Sequence, residues 1–329
     1  MRTPARDSGL GTRDLKILIV ATSIVATGML VSAADPPSWA YPRVPSDLRV
    51  DPDDGKPRSV PGSTRTYTLT QIRNFFAPPD WHDDHPPMPG IVGQGRPPMG
   101  FACGYCHLPS GIGKPENARV AGLPVAYIKQ QVADFKSGAR KSSAPGMLPH
   151  VWMVEASKAA TDEEVDVAAR YFAALPQPTG WNTVTETEMV PKTRVLGWIL
   201  VPDGSGQMEP IGQRIVETAV DPARTSLRDS HSGFVAYVPI GSVKKGEALA
   251  TTGGGRTVQC SLCHGPDLKG AGNVPRIAGV SAIYTVRQLF DLQSGARNGS
   301  GAQLMKPVVA KLSEEDMLNI AAYLASVEP

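Results

Sequence analysis

The sequence predicts a mainly α protein: two similar small helical domains in tandem, a proline-rich arm before the first, and a β-containing insertion between them. Three observations predict this. A stretch of over thirty residues occurs twice without a gap, each copy closes with a capped amphipathic helix, and proline-rich and β-branched runs are confined to segments outside the repeat.

Residues 1–34 read as an export leader. Arg2, Arg6, Arg13 and Lys16 precede an uncharged, mostly apolar run at residues 17–31, followed by small residues in "VSAAD". The expectation is a signal peptide cleaved after Ala33 or Ala34, or an inner-membrane anchor and tether through residues 17–34, since an extended run approaches the roughly 20 residues of a membrane span. Either way the body of the protein is expected in the periplasm. Its net charge of +2, with no basic block past the leader, leaves no nucleic-acid footprint.

Residues 35–85 are rich in proline and aspartate ("ADPPSWAYPRVPSD", "FAPPDWHDDHPP") and read as an extended arm on the surface. His82 and His85 in the arm, and His231 further on, lie in polar loops and are expected to face solvent. The first domain is assigned to residues 86–176, the insertion to 177–239 and the second domain to 240–329. Within the insertion, "TRVLGWILV" and "GFVAYVPI" read as strands between turn signals.

The repeat aligns the segment from Cys106 with that from Cys263 at a constant offset of 157. His107 pairs with His264, Arg119 with Arg276, Tyr127 with Tyr284, Gln131 with Gln288, and Arg140 with Arg297. Helices are predicted over residues 124–136 and 282–293. A closing helix is predicted in each copy, after Thr161 and after Ser313, which stand as N-caps with acids in the first turn.

All four cysteines fall in two CxxCH units, Cys103-Cys106-His107 and Cys260-Cys263-His264. Zinc binding and thiol redox chemistry also use CxxC. The adjacent histidine is needed only where two thiols add across the vinyl groups of one porphyrin and an imidazole meets its iron from the same side. A zinc ribbon would need its CxxC pairs much closer than 157 residues. Two covalently attached haems c are therefore expected, with His107 and His264 as iron ligands.

A thioether is the expected sixth ligand. In the second domain that is Met305, in "GAQLMKPVV". In the first, "APGMLPHVWMVEA" offers two methionines. Counting forward from His107 favours Met147. Counting back from Tyr171 favours Met153, whose 18-residue distance equals that from Met305 to Tyr323. Met153 is preferred because the loop before the ligand varies in length more readily than the link into the closing helix. Met147 is the alternative, and His150 between them would give bis-histidine ligation. The Pro275 carbonyl, and that of Ala118 in the first copy, are placed to hold the second nitrogen of each histidine. Arg140 and Arg297 are candidate propionate partners, with solvated surface arginine as the competing reading. Tyr127, Tyr284, Gln131 and Gln288 are read as core-facing.

The two CxxCH units, the "AGLPVAYIKQQVADFKSGAR" and "AGVSAIYTVRQLFDLQSGAR" blocks, Met305 and the closing helices resemble the tandem diheme class I cytochromes c, the c-four type. The resemblance covers about 180 residues. It implies two class I cytochrome c helical domains, each haem held by histidine and methionine, passing single electrons by outer-sphere transfer, with no catalytic residue. Redox proteins are the implied partners: a periplasmic dehydrogenase, an oxidase or another cytochrome. The arm and the insertion do not map onto that family and leave the partner open. Two other readings remain: a haem-bearing subunit of a membrane dehydrogenase or oxidase complex, and a diheme peroxidase-like enzyme.

Overall fold

A computed structural model describes residues 1–3 and 35–329; the expected leader and tether lie outside the described residues. Among the described residues no helix is long and apolar enough to cross a membrane.

The arm is more than a surface strand. After a 3-10 turn at Ser38–Ala40, Ala40 and Tyr41 are buried, and Tyr41 donates its hydroxyl to Asp291 at 2.9 Å. Further along, Val60, Ile72 and Trp81 form a small core around helix α1 (Leu69–Ile72), which Thr68 and Gln71 cap reciprocally. Prolines remove donors from this segment, so side chains rather than a backbone ladder tie it down.

The first repeat supplies α2 (Gly90–Gly93), α3 (Cys103–His107), α4 (Val125–Ser137), α5 (Leu148–Ala159) and α6 (Asp162–Ala173). The second supplies α8 (Ser242–Thr252), α9 (Ser261–His264), α10 (Ala282–Gln293), α11 (Ala302–Val309) and α12 (Glu314–Ser326). The capping signals hold in both copies: Thr161 with Glu164, and Ser313 with Asp316, form capping boxes at the starts of α6 and α12. Gly246 lets α8 cross α12 closely, because a Cβ there would lie 1.8 Å from the Asn319 carbonyl oxygen.

Between the repeats lie β1 (Asn182–Glu186), β2 (Met189–Pro191), β3 (Thr193–Leu196), β4 (Ile199–Pro202), β5 (Met208–Pro210), β6 (Val216–Ala219), a short helix α7 (Pro222–Ser226) and β7 (Phe234–Val238). Five strands form one sheet in the order β1-β7-β6-β4-β3, and β2 pairs with β5. The predicted run "TRVLGWILV" is the β3–β4 hairpin, turning at Gly197 with positive φ. β1 runs parallel to β7. The central strand β6 is buried along its length, and its Glu217 accepts from Ser281 Oγ at 2.7 Å and from the Ile283 N–H at 2.9 Å, tying the sheet to the start of α10. Ala236 and Val238 of β7 share a core with Leu318, Ala321 and Ala325 of α12.

The sheet is also seated on the first CxxCH turn. Leu108, directly after His107, adopts φ 61° and ψ 155°, a conformation close to glycine-only. Its counterpart after His264 is Gly265, at φ 85° and ψ 157°. The strain at Leu108, of order 1–3 kcal/mol, is offset by complete burial of its side chain among Ile112, Trp181, Ile199, Val201 and Phe234, worth about 1.5–3 kcal/mol.

Candidate haem sites

Each CxxCH unit forms a single helical turn, α3 or α9, which brings its two thiols to one side and delivers the histidine at its end. His107 Nδ1 lies 2.8 Å from the Ala118 carbonyl and His264 Nδ1 lies 2.6 Å from the Pro275 carbonyl. A nitrogen facing a carbonyl must carry the proton, so Nε2 keeps its lone pair for a metal. Burial moves both imidazoles below their ordinary pKa, which also keeps them neutral.

The thiols are set against the alternative chemistries. Burial pushes Cys103 up to about 12 and Cys260 up to about 11, the opposite of the depressed pKa that thiol redox motifs need. All four cysteines are free of disulfides.

Two buried arginines that the sequence reading left without a role test the fit of an anionic cofactor. Arg119 and Arg276 directly follow the carbonyls that hold the two histidines. Arg276 Nε and Nη1 and Arg119 Nε are buried with no hydrogen-bond partner among the described residues. Burial, and after it the charge of Arg276, pulls Arg119 down to about 10. Arg119 otherwise donates to the neutral carbonyls of Gly279 at 2.8 Å and Pro178 at 2.7 Å; a buried charge without a counter-charge is costly, and haem propionates would supply one. The residues present fit haem. The signal was in the repeat: an arginine one residue past each histidine-holding carbonyl.

Arg140 and Arg297, expected at propionates, find other partners. Arg140 donates to Gln131 Oε1 (2.8 Å), Tyr284 OH (3.0 Å) and Gln288 Oε1 (2.8 Å); Arg297 donates to Gln288 Oε1 (3.2 Å), Tyr127 OH (2.8 Å) and Gln131 Oε1 (2.8 Å). The backbones bridge beside them, with Lys141 N donating to Ala296 O and Asn298 N to Ala139 O. The pair thus holds the two repeats together through reciprocal hydrogen bonds, with acceptors that are neutral oxygens. Arg297→Ala is expected to lower stability by about 1–3 kcal/mol, because it leaves the half-buried Tyr127 hydroxyl without its donor while Gln131 and Gln288 keep Arg140. Urea unfolding checks this, and the double variant with Arg140→Ala should cost more than the sum, because each glutamine carbonyl keeps one arginine in either single variant and loses both in the double.

The methionines separate. Met305 lies on α11 and packs, with Cys260, against the core of the second repeat. Met147 is the N-cap of α5 and is buried in a core made with Tyr41, Val286 and Leu318. Met153, further along α5, is half-buried and outside that core. His150 is half-buried with its ring beside Phe135.

The two turns differ in cover. The arm lies on the first: Phe75 stacks on Tyr105 at 4.4 Å, and a Cβ on Gly104 would meet Pro78 Cγ at 3.4 Å. From the insertion, the Arg228 guanidinium sits 3.5 Å above the Tyr105 ring. Tyr105 is 4% exposed, whereas Leu262, its positional counterpart in the second turn, is 70% exposed. Leu304, beside Met305, is 77% exposed.

Two of the three histidines expected to face solvent are a correction. His82 is buried against Asp229, and the His85 side chain is buried against Asp80; only His231 is exposed. The partner of His82 lies on a distant segment, whereas that of His85 is five residues away in the same arm.

Two CxxCH turns with oriented imidazoles, thiols raised by burial at Cys103, Cys106 and Cys260, and buried arginines without a counter-charge define a c-type cytochrome with two haems. A cytochrome c family model matches residues 243–328. Cytochrome c4 of Stutzerimonas stutzeri is 33% identical over 243 residues, spanning 71% of this chain and 86% of that one. The chain belongs to the diheme c4-type cytochromes and is an electron-transfer protein with two covalently attached haem c groups. It is also similar to the thiosulfate dehydrogenase electron acceptor of Stutzerimonas stutzeri strain A1501, 27% identical over 71% of this chain and 82% of that one. The crystal structure of reduced recombinant cytochrome c4 from Pseudomonas stutzeri covers 68% of this chain and 93% of its own, at 22% identity and a TM-score of 0.43.

Proposed function

We propose that this chain is a periplasmic carrier of single electrons with one haem in each of the domains 86–176 and 240–329, exchanging electrons with redox proteins at the second CxxCH turn. The residues proposed to hold the haems are Cys103, Cys106 and His107 with Met153, and Cys260, Cys263 and His264 with Met305. Haem, when bound, supplies an iron that changes reversibly by one electron.

The chain's own groups do the rest. Cys103, Cys106, Cys260 and Cys263 would fix the haem positions, the Ala118 and Pro275 carbonyls orient the imidazoles and keep their protons on Nδ1, and Met153 and Met305 would supply thioether ligands. Arg119 and Arg276 would offset propionate charge. Burial of Met147 in a core that contains no residue of α3 supports Met153 as the first thioether.

The observation that carries the docking assignment is the difference in cover. The arm and insertion enclose Tyr105, while Leu262 and Leu304 stand out beside the second turn. Exposed apolar side chains around a redox centre suit brief, weakly specific encounters. A dehydrogenase is the donor class suggested by the relative that accepts electrons from thiosulfate dehydrogenase.

Leu262→Glu with Leu304→Glu is expected to slow second-order exchange with a small c-type cytochrome about tenfold, equivalent to ~1.4 kcal/mol of encounter free energy, with both midpoint potentials unchanged. Stopped-flow spectroscopy reads this. An unchanged rate would remove the second turn as the port.

A further inference from the structure

We propose that the seam between the arm and the insertion is a binding site for a divalent transition-metal ion of the zinc or copper type, with His82, Asp229 and His231 as its ligands. The proposal rests on side chains outside both CxxCH units, in the two segments that the repeats do not share.

The chain has six histidines, and two belong to the CxxCH units. Three of the other four, His82, His85 and His231, gather at this seam. His82 Nε2 lies 2.7 Å from Asp229 Oδ1, and both residues are buried, Asp229 to 2% exposure. The His231 ring stacks on that of His82 at 3.6 Å and 9°. One donor atom from each of the three lies within 4.8 Å of the others.

The surroundings are those of an oriented ligand set. Arg224 Nε donates to Asp229 Oδ2 at 2.7 Å, and the His231 N–H donates to Asp229 Oδ1 at 2.9 Å, so the carboxylate is fixed from both sides. Metal sites use such outer partners to hold their ligands. On the other side, His231 Nε2 meets Asp84 Oδ2 at 2.8 Å, and Asp84 stands two residues from His82 on the same arm loop.

Two imidazoles and one carboxylate suit zinc or copper, whereas calcium and magnesium take oxygen ligands. A tetrahedral centre with bonds of about 2.0–2.1 Å spaces its ligand atoms about 3.3 Å apart. The His82–Asp229 pair therefore opens slightly as the ion replaces the proton between them. The His231 ring must turn out of its stack to aim Nε2, giving up its face on His82 and its contact with the exposed Asp84; the ring itself is exposed. Asp84 or water completes the coordination.

The ion would staple the arm to the segment that carries Arg228, and Arg228 lies on Tyr105 of the first CxxCH turn. Binding would secure the cover over the first turn and leave the second untouched.

The test is calorimetric titration of the chelator-washed full-length diheme protein with zinc chloride. One saturable zinc per chain is expected, with a rise in Tm. His231→Ala, which alters an exposed side chain, and His82→Gln should each weaken binding roughly a hundredfold or more and abolish the Tm rise, since even outer partners of metal sites contribute 10- to 100-fold. The absence of saturable uptake by the unmodified protein, or equal uptake by both variants, overturns the proposal.

Discussion

Replacing Cys260 and Cys263 together by alanine is expected to leave a chain carrying one haem in place of two. Cys263 lies in α9 and Cys260 is its N-cap, and Cys260 packs against the same core as Met305, Leu289 and Phe290. Without covalent anchors the second repeat loses a large part of what its apolar residues are arranged around, so haem content and stability fall together. Iron and haem per chain, read with intact mass, check the outcome; a chain retaining two haems would contradict it. Zinc or disulfide chemistry at these cysteines would leave iron content untouched, and the upward shift of the Cys260 thiol to about 11 by burial already runs against thiolate reactivity.

The second large effect is on potential. Met305→Ala is expected to lower one midpoint potential by roughly a hundred millivolts or more, within the ≈ 0.8 V range over which axial ligands set haem potentials, and to leave the other in place. A thioether favours ferrous iron, and water or hydroxide in its place favours ferric. The emptied position should also bind carbon monoxide in the reduced protein. Spectroelectrochemistry of the variant beside the unmodified chain checks both points, and two unchanged potentials would remove Met305 from the second iron.

The sequence carried the repeated part of the architecture almost completely. The capping signals at Thr161 and Ser313 mark real helix starts because their effects are local, requiring only residues three apart. The carbonyls of Ala118 and Pro275 could be assigned because a constant offset transfers geometry from one copy to the other. Strands were legible in the insertion, but not their order: β1 pairs in parallel with β7, about fifty residues later, and nothing local to either strand encodes that partner.

Polar residues were the least legible. Arg140 reads equally well as a propionate partner or a surface charge until Tyr284 and Gln288 of the other repeat are brought beside it. His82 sits in a stretch that composition assigns to solvent, and Asp229, which buries it, is 147 residues away. Leu108 carried a readable hint, since its counterpart is Gly265, but its unusual backbone is sustained by an insertion that the repeat does not contain.

The central claim is that each repeat completes its own histidine and methionine ligand pair, and Met153 is the member for which the sequence offers a neighbouring methionine, Met147. The most direct measurement is a redox titration of Met153→Ala and Met147→Ala, following both haems optically. The account predicts that Met153→Ala lowers one potential, that of the haem unaffected by Met305→Ala, while Met147→Ala leaves both potentials in place and costs only packing in the core with Tyr41 and Leu318. A fall in potential for Met147→Ala, with Met153→Ala unchanged, would contradict it.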